Sequence, residues 1–115
     1  MNIPVEHTVG SEQYARRPYI IMSRTSINRS GKTVVGVPLS TSESAKAHTG
    51  PPYRIVIPSF QITRDIAFNG EIKDGVAKTD HVRVLDKSRL EKRMGKLTNT
   101  AIAAVGLGLM YLFDR

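Results

Sequence analysis

The sequence alternates short apolar stretches rich in β-branched residues with polar segments, and it ends in one long helical stretch. Strands are predicted wherever such a short stretch lies between turn-forming residues. These strands cover residues 18–25, 32–39, 53–58 and 82–85. A helix is predicted over residues 101–113, because Thr98, Asn99 and Thr100 offer side chains that can cap its first turn. The pattern favours one compact, mainly β domain over residues 1–115 with a C-terminal helix.

The segments around these strands carry further expectations. Residues 28–32 and the pair Asp74-Gly75 are predicted to be turns, and residues 40–52 a mobile polar loop. The strand 32–39 should be buried on both faces, and Pro38 near its end indicates an edge, a bend or a bulge. Residues 87–97 are strongly basic and can hold a short helical turn that ends near Gly95.

The predicted C-terminal helix is apolar on nearly all sides. One stripe consists of Ile102, Val105, Leu109 and Leu112, with Met110 and Phe113 beside it. Such a helix must be covered by the core or by another subunit. Its two glycines, Gly106 and Gly108, each cost about 1 kcal/mol relative to alanine, which is tolerable if they permit close packing.

Composition restricts the classes of function. Seventeen Lys and Arg residues against ten Asp and Glu give a net charge of +7, which favours polyanionic partners. The absence of cysteine excludes disulfides and thiolate chemistry, and His7, His48 and His81 lack the spacing of metal ligands. No secretory signal is visible, and the apolar run 101–113 is shorter than the roughly 20 residues that span a bilayer. A soluble cytoplasmic protein that is not associated with a membrane is expected.

Three segments together carry a family pattern. The first is Gly10-Ser11-Glu12-Gln13, followed by Arg16-Arg17-Pro18. The second is Val37-Pro38-Leu39-Ser40-Thr41. The third runs over residues 80–90 (DHVRVLDKSRL) and continues with Gly95-Lys96-Leu97. In this order and spacing they resemble the MazF/PemK toxin family, which includes Kid. Two features differ from the family: its opening strand, which precedes a GSEQ loop, is expected to be short or missing here, and His81 stands where glutamine is common.

The resemblance implies a small SH3-like antiparallel β-barrel of the MazF/PemK/CcdB type with a C-terminal helix. It implies the toxin of a type II toxin–antitoxin system, a metal-independent, sequence-selective endoribonuclease that cleaves single-stranded mRNA without a cofactor. It further implies a homodimer with RNA in a groove near the dimer interface, and a cognate antitoxin with an acidic, partly disordered segment. Two alternatives share the fold, namely a CcdB-like toxin that binds gyrase and a catalytically inactive RNA-binding module.

RNA needs no metal for cleavage, because its own 2′-OH can attack the adjacent phosphorus. A base must take the 2′-OH proton, a cation must stabilise the charge at phosphorus, and an acid must protonate the leaving 5′-oxygen. With the resemblance, Arg17 is the candidate for holding the scissile phosphate. Ser40 or Thr41 supplies a hydroxyl, with Ser40 preferred. Glu12 can act as the base, position Arg17, or cap a turn.

Other residues are candidates for RNA binding rather than catalysis. Arg16 and Gln13 flank the candidate glutamate and arginine, while Arg83, Lys87 and Arg89 belong to a basic stretch that can follow the RNA backbone. Asp80, Asp86 and Glu91 neutralise part of that stretch, so a solvated charged face is an equally good interpretation. His81 is not included among the catalytic candidates.

Overall fold

The structure is a computed structural model that describes residues 8–12, 18–22, 31–66, 68, 70–86 and 90–113. These residues form a β-rich fold with a C-terminal helix. The strands are β1 (Thr8–Glu12), β2 (Pro18–Ile21), β3 (Thr33–Ser40), β4 (Arg54–Ile57), β5 (Ile62–Arg64), β6 (Gly75–Lys78), β7 (Arg83–Asp86) and β8 (Leu90–Leu97). The helices are α1 (Glu43–Ala47) and α2 (Asn99–Phe113), and 3₁₀ turns cover Ser59–Gln61 and Thr79–His81.

The strands pair antiparallel in the order β4-β6-β3-β2-β1-β8-β5, and β7 pairs additionally with β3. The end strands β4 and β5 are far apart in this order, yet only residues 58–61 join them along the chain. The sheet must therefore curl until its two ends come close together. This confirms the predicted mainly antiparallel β class with a C-terminal helix, although the ladders of the described strands follow an open path rather than a closed ring.

Strand β3 is the hub of the sheet because it changes partners along its length. On one side it pairs with β2. On the other side it pairs with β7 up to Gly36 and with β6 from Leu39 onward. Pro38 lies where the partner changes, which is where a residue without an N–H donor disturbs the ladder least. At Pro38, where the sequence indicated an edge, a bend or a bulge, β3 passes from the part of the sheet that contains β7 to the part that contains β6.

Several predicted segments differ from the structure. Residues 40–52 contain the helix α1, whose N-cap Ser42 accepts a hydrogen bond at Oγ from the Ala45 N–H at 3.1 Å. Gly75 opens strand β6 instead of completing a turn, because it lies opposite Ile57 in the β4 ladder. The helical turn predicted in residues 87–97 is wrong as well, since Leu90–Leu97 is strand β8 and pairs with both β1 and β5.

The core has two parts, one on each face of the central strands. The larger cluster lies between the sheet and α2 and consists of Ile20, Val37, Leu39, Ile57, Ile62, Ala77, Leu97, Ala101 and Val105. The smaller cluster consists of Tyr19, Ile21, Val34 and Leu85. Burial of β3 on both faces, as predicted, follows from its contribution to both clusters.

Helix α2 is covered over its first half and exposed at its end. Thr98 caps it by accepting the Ala101 N–H at 3.3 Å, as predicted. Ala101, Val105 and Gly108 are its buried residues. Leu107, Met110, Tyr111 and Phe113 are exposed large hydrophobic residues. The predicted stripe faces the core, since Val105 belongs to the larger cluster and Ile102 and Leu109 pack against it, whereas Met110 and Phe113 beside the stripe are exposed.

Candidate active site

The described ends of the strands that carry the first two sequence motifs lie at one edge of the sheet. Ser11 lies opposite Pro18, and Tyr19 lies opposite Pro38. In antiparallel strands this register brings the end of β1, the start of β2 and the end of β3 to the same edge. Ser40, the last residue of β3, lies opposite Val76 of β6. Gly10, Ser11 and Glu12 belong to strand β1 rather than to the loop that the resemblance implied.

A cleft of about 460 Å³ opens at this edge. Its lining includes the rings of Pro18 and Pro38, the hydroxyl residues Ser40 and Thr41, and Lys78 from β6. Prolines at the walls leave few backbone donors there, so the polar character of the cleft comes from these side chains. Ser42 also lines the cleft, so the described residues combine three hydroxyls with one cation, which is suited to binding an anion such as a phosphate.

The two hydroxyls that the sequence motifs selected, on Ser40 and Thr41, differ in their hydrogen bonding. Ser40 Oγ lies 3.1 Å from Ser42 Oγ and accepts the Ser42 N–H at 3.4 Å. Ser40 therefore helps to shape the turn into α1, a common local use of serine. The Thr41 hydroxyl forms no hydrogen bond with the described part of the chain, although Thr41 lines the same cleft. Thr41 is consequently the hydroxyl that is free to meet a ligand directly.

Lys78 is a site residue that the sequence motifs did not select. It is the last residue of β6, and within the described residues it has no carboxylate partner. It was missed because the segment around Asp74-Gly75 was interpreted as a turn that leads into the predicted strand at residues 82–85, which is β7. Recognition of the short apolar pair Val76-Ala77 as part of a buried strand would have placed this lysine beside the end of β3.

A bidentate ion pair lies near Lys78, because Arg54 is opposite Lys78 in the β4–β6 ladder and Asp80 follows Lys78 by two residues. Arg54 donates from Nε to Asp80 Oδ1 and from a terminal nitrogen to Oδ2, both at 2.9 Å. Partial burial alone would raise the pKa of Asp80, but the hydrogen bonds and charge of Arg54 outweigh it and lower that pKa below its ordinary value. His81, which carries the departure from the family pattern, lies with Nε2 3.5 Å from Asp80 Oδ2 and is exposed. Asp80 is thus held as a carboxylate.

Arg83 of β7 lies on the same face of the sheet as Ser40, but beside an earlier part of β3. It is opposite Gly36, and alternate residues of a strand share a face, so Gly36, Pro38 and Ser40 point the same way. Four residues of strand place Arg83 roughly 13 Å from Ser40 along the strand direction. Its guanidinium lies 5.9 Å from the centroid of the Tyr19 ring and donates to the Tyr19 hydroxyl at 3.4 Å. Arg83 therefore extends the positive surface beyond the cleft.

The structure places only part of the predicted site. It brings Ser40 and Thr41 into one cleft and puts Arg83 on the same face. Glu12 is the last residue of β1, opposite Leu90 of β8. The remaining predicted residues, Gln13, Arg16, Arg17, Lys87 and Arg89, lie outside the described residues. Within the described residues, no three His, Asp or Glu side chains form a group that could hold a metal ion.

The chain belongs to the family of PemK-like, MazF-like toxins of type II toxin–antitoxin systems, whose family model matches residues 1–113. The match confirms the family that the three sequence motifs indicated. Comparison with curated proteins gave no match. In the described part of the chain, no helix is both long and apolar enough to cross a membrane.

Solved structures share the fold. An endoribonuclease from a mycobacterial species has a TM-score of 0.75 and 20% identity, covering 98% of this chain and 93% of its own. A mycobacterial endoribonuclease in complex with its cognate antitoxin has a TM-score of 0.74 and 20% identity, covering 96% and 94%. A MazE–MazF complex from Deinococcus radiodurans has a TM-score of 0.73 and 21% identity, covering 96% and 95%. At such identities the likeness is evidence for the fold.

Proposed function

We propose that this toxin is a metal-independent, sequence-selective endoribonuclease that cleaves single-stranded mRNA and thereby inhibits translation and growth. The observation that carries the proposal is the cleft in which Ser40, Thr41 and Lys78 meet directly beside Pro18, the residue that follows Arg17 in the chain. The endoribonuclease activity named for the mycobacterial neighbours agrees with it. A cognate antitoxin with an acidic, partly disordered segment would block the basic surface, as an antitoxin accompanies two of the neighbours.

The proposed reaction uses the RNA as its own nucleophile. A base, for which Glu12 is the candidate, takes the proton of the 2′-OH, and the 2′-oxygen forms a bond to the adjacent phosphorus. The bond from phosphorus to the 5′-oxygen breaks, and an acid protonates that leaving oxygen. Arg17 and Lys78 would stabilise the charge that develops on the phosphoryl oxygens, and Thr41 or Ser40 would bind one of them. The products are a 2′,3′-cyclic phosphate and a 5′-OH.

The test is cleavage of a single-stranded oligoribonucleotide by the purified protein in EDTA, compared with the same RNA folded into a duplex. Cleavage of the single strand, with cyclic phosphate and 5′-OH ends, is expected. A 2′-deoxy substitution at the cleaved position should abolish it. Activity that required magnesium or left 5′-phosphate ends would contradict the mechanism. Binding without cleavage would favour the inactive RNA-binding module, and binding to gyrase alone the CcdB-like alternative.

Single substitutions test the assigned residues. Arg17→Ala is expected to lower the cleavage rate by about a hundredfold or more, and Arg17→Lys to restore little, because an ammonium does not replace a bidentate guanidinium. Ser40→Ala and Thr41→Ala, made separately, identify the functional hydroxyl. The free Thr41 hydroxyl makes Thr41→Ala the more damaging change. Two neutral results would remove this edge of the sheet from the chemistry.

A further inference from the structure

The turn from β3 into α1 is tied together by the side chain of one residue, Ser42. Its Oγ accepts the Ala45 N–H at 3.1 Å and lies 3.1 Å from Ser40 Oγ, so one of these two hydroxyls donates to the other. The Ser42 N–H donates to Ser40 Oγ as well, at 3.4 Å. Ser42 thus forms a bridge between the last residue of β3 and the first turn of α1.

Both ends of this bridge lie in well-packed parts of the fold. Ser40 belongs to the β3–β6 ladder, opposite Val76. Ala45 is 6% exposed and is the buried residue of α1, so it anchors this helix. Ser42 has the extended backbone of an N-cap, with φ −69° and ψ 149°, and its carbonyl oxygen accepts the Lys46 N–H at 3.1 Å. The backbone at the bridge therefore has little freedom.

Thr41 lies inside this bridge. Its two neighbours in the chain are joined through their hydroxyls, so the peptide groups on either side of Thr41 are held in one arrangement. The Thr41 side chain takes no part in these hydrogen bonds and lines the cleft together with Lys78. A restrained backbone that carries a free hydroxyl is the arrangement required of a group that must meet a substrate in a defined position.

We propose that Ser42 is a positioning residue, which holds the Thr41 hydroxyl where it binds a phosphoryl oxygen during cleavage. The proposal rests on the proposed ribonuclease activity and adds a residue that the sequence motifs did not select. Ser42 acts through Thr41 rather than on the RNA, because its own hydroxyl is engaged by Ser40 and Ala45. A hydroxyl that is already in place stabilises the developing charge without reorganisation. Ser42 therefore affects the rate of cleavage more than the affinity for RNA.

The test is the single-turnover rate at which excess protein cleaves one single-stranded RNA, measured together with the affinity for that RNA. Ser42→Ala is expected to lower the rate about threefold to tenfold, the effect of one lost hydrogen bond, and to change the affinity by less than about twofold. Ser44→Ala is the matched control, because Ser44 carries the same side chain in α1 but does not line the cleft. It should leave both quantities unchanged.

Threonine and glycine at position 42 separate the bridge from the helix cap. The two residues are about equally good at an N-cap, but only threonine keeps a hydroxyl. Ser42→Thr should therefore retain most of the wild-type rate, and Ser42→Gly should be as slow as Ser42→Ala, with circular dichroism confirming that the variants are folded. Equal rates in Ser42→Thr and Ser42→Gly would contradict the bridge, and this pair decides the question if Ser42→Ala does not fold.

A double-mutant cycle tests whether Ser42 acts through Thr41. In the Thr41→Ala background there is no hydroxyl to position, so Ser42→Ala should lower the rate no further. Equal losses in both backgrounds would overturn this inference alone, as would a neutral Thr41→Ala or a neutral Ser42→Ala. A wild type that cuts no RNA would contradict the ribonuclease proposal and this inference with it.

Discussion

Lys78 has a charge that no carboxylate neutralises within the described residues, and it lines the cleft together with Ser40 and Thr41. Lys78→Ala is therefore expected to lower kcat/KM for RNA about tenfold to hundredfold. If it contacts a phosphate, the dependence of RNA affinity on salt should also weaken, with the slope smaller by about one. Lys73→Ala is the control, since Lys73 is exposed and does not line the cleft. Equal loss in both variants would indicate general charge attraction rather than a site at Lys78.

The Arg54–Asp80 pair should make stability depend on pH. The folded state lowers the pKa of Asp80, so the pair contributes fully above the ordinary value of about 3.9 and is lost as the pH falls through the lower folded value. The two side chains are 18% and 26% exposed, and Asp80→Asn is expected to cost about 1–3 kcal/mol at pH 7. Denaturant unfolding of the wild type and Asp80→Asn should show that the difference in their free energies of unfolding decreases as the pH is lowered toward 3. Asp65→Asn, outside the pair, is the control, and an equal cost at both pH values would contradict the assignment.

At the residue scale, the sequence motifs identified the hydroxyl residues of the cleft but did not identify which charged side chains form ion pairs. Ser40 and Thr41 were found because they end a recognisable motif, and the structure puts them in the cleft. Arg54 and Asp80 are 26 residues apart, and nothing in their local surroundings indicates that they meet. Only the β4–β6 register, with Arg54 opposite Lys78, brings their side chains into contact. Long-range pairs of this kind depend on strand register, which local patterns do not specify.

At the element scale, stretches with strong local patterns were predicted correctly. Strands at residues 32–39 and 53–58 and the C-terminal helix agree with β3, β4 and α2 to within a few residues. Strand β8 was missed because its charged residues resemble a solvated turn, and its extended form depends on pairing with β1 and β5. Gly95 lies within it so close to the Thr63 backbone that an added Cβ would clash with the carbonyl oxygen. Tertiary packing, not local preference, thus determines β8.

The two glycines of α2 provide a test of this packing. An added Cβ at Gly106 would meet nothing within 4 Å, whereas at Gly108 it would lie 3.1 Å from both Ile55 and Thr79. Gly106→Ala should therefore stabilise the protein by about 1 kcal/mol through helix propensity alone. Gly108→Ala should gain less or destabilise, because those neighbours must move. Thermal and denaturant unfolding of the two variants would measure the difference, and equal gains would show that α2 is not closely packed at Gly108.

At the scale of the whole molecule, the curl of the sheet came from the family resemblance and not from local patterns. No local rule states that β4 and β5 lie at opposite ends of the strand order. The short connection through residues 58–61 then requires the ends to approach each other. The expectation that one subunit cannot bury all of the apolar surface of α2 did come from the sequence, since the helix is apolar on nearly all sides.

That uncovered surface leads to a prediction about assembly. The end of α2 presents Leu107, Met110 and Phe113 at 67%, 67% and 73% exposure, and together with Tyr111 they line one open apolar depression. Contiguous exposed apolar surface of this kind is unfavourable in water and typical of an interaction site. We expect a homodimer in which this end of α2 contributes to the interface and each active-site groove borders the partner.

Light scattering at micromolar concentration is the measurement. The wild type should have the mass of two chains, and the double substitution Met110→Lys with Phe113→Lys should shift it toward one, because buried charges are costly. Ile66→Lys is the matched control: Ile66 is 99% exposed between β5 and β6, so it should leave the dimer unchanged. If the grooves are shared, the monomeric variant should also lose RNA cleavage. A monomer that cleaves at the full rate would contradict the shared groove while leaving the ribonuclease proposal intact.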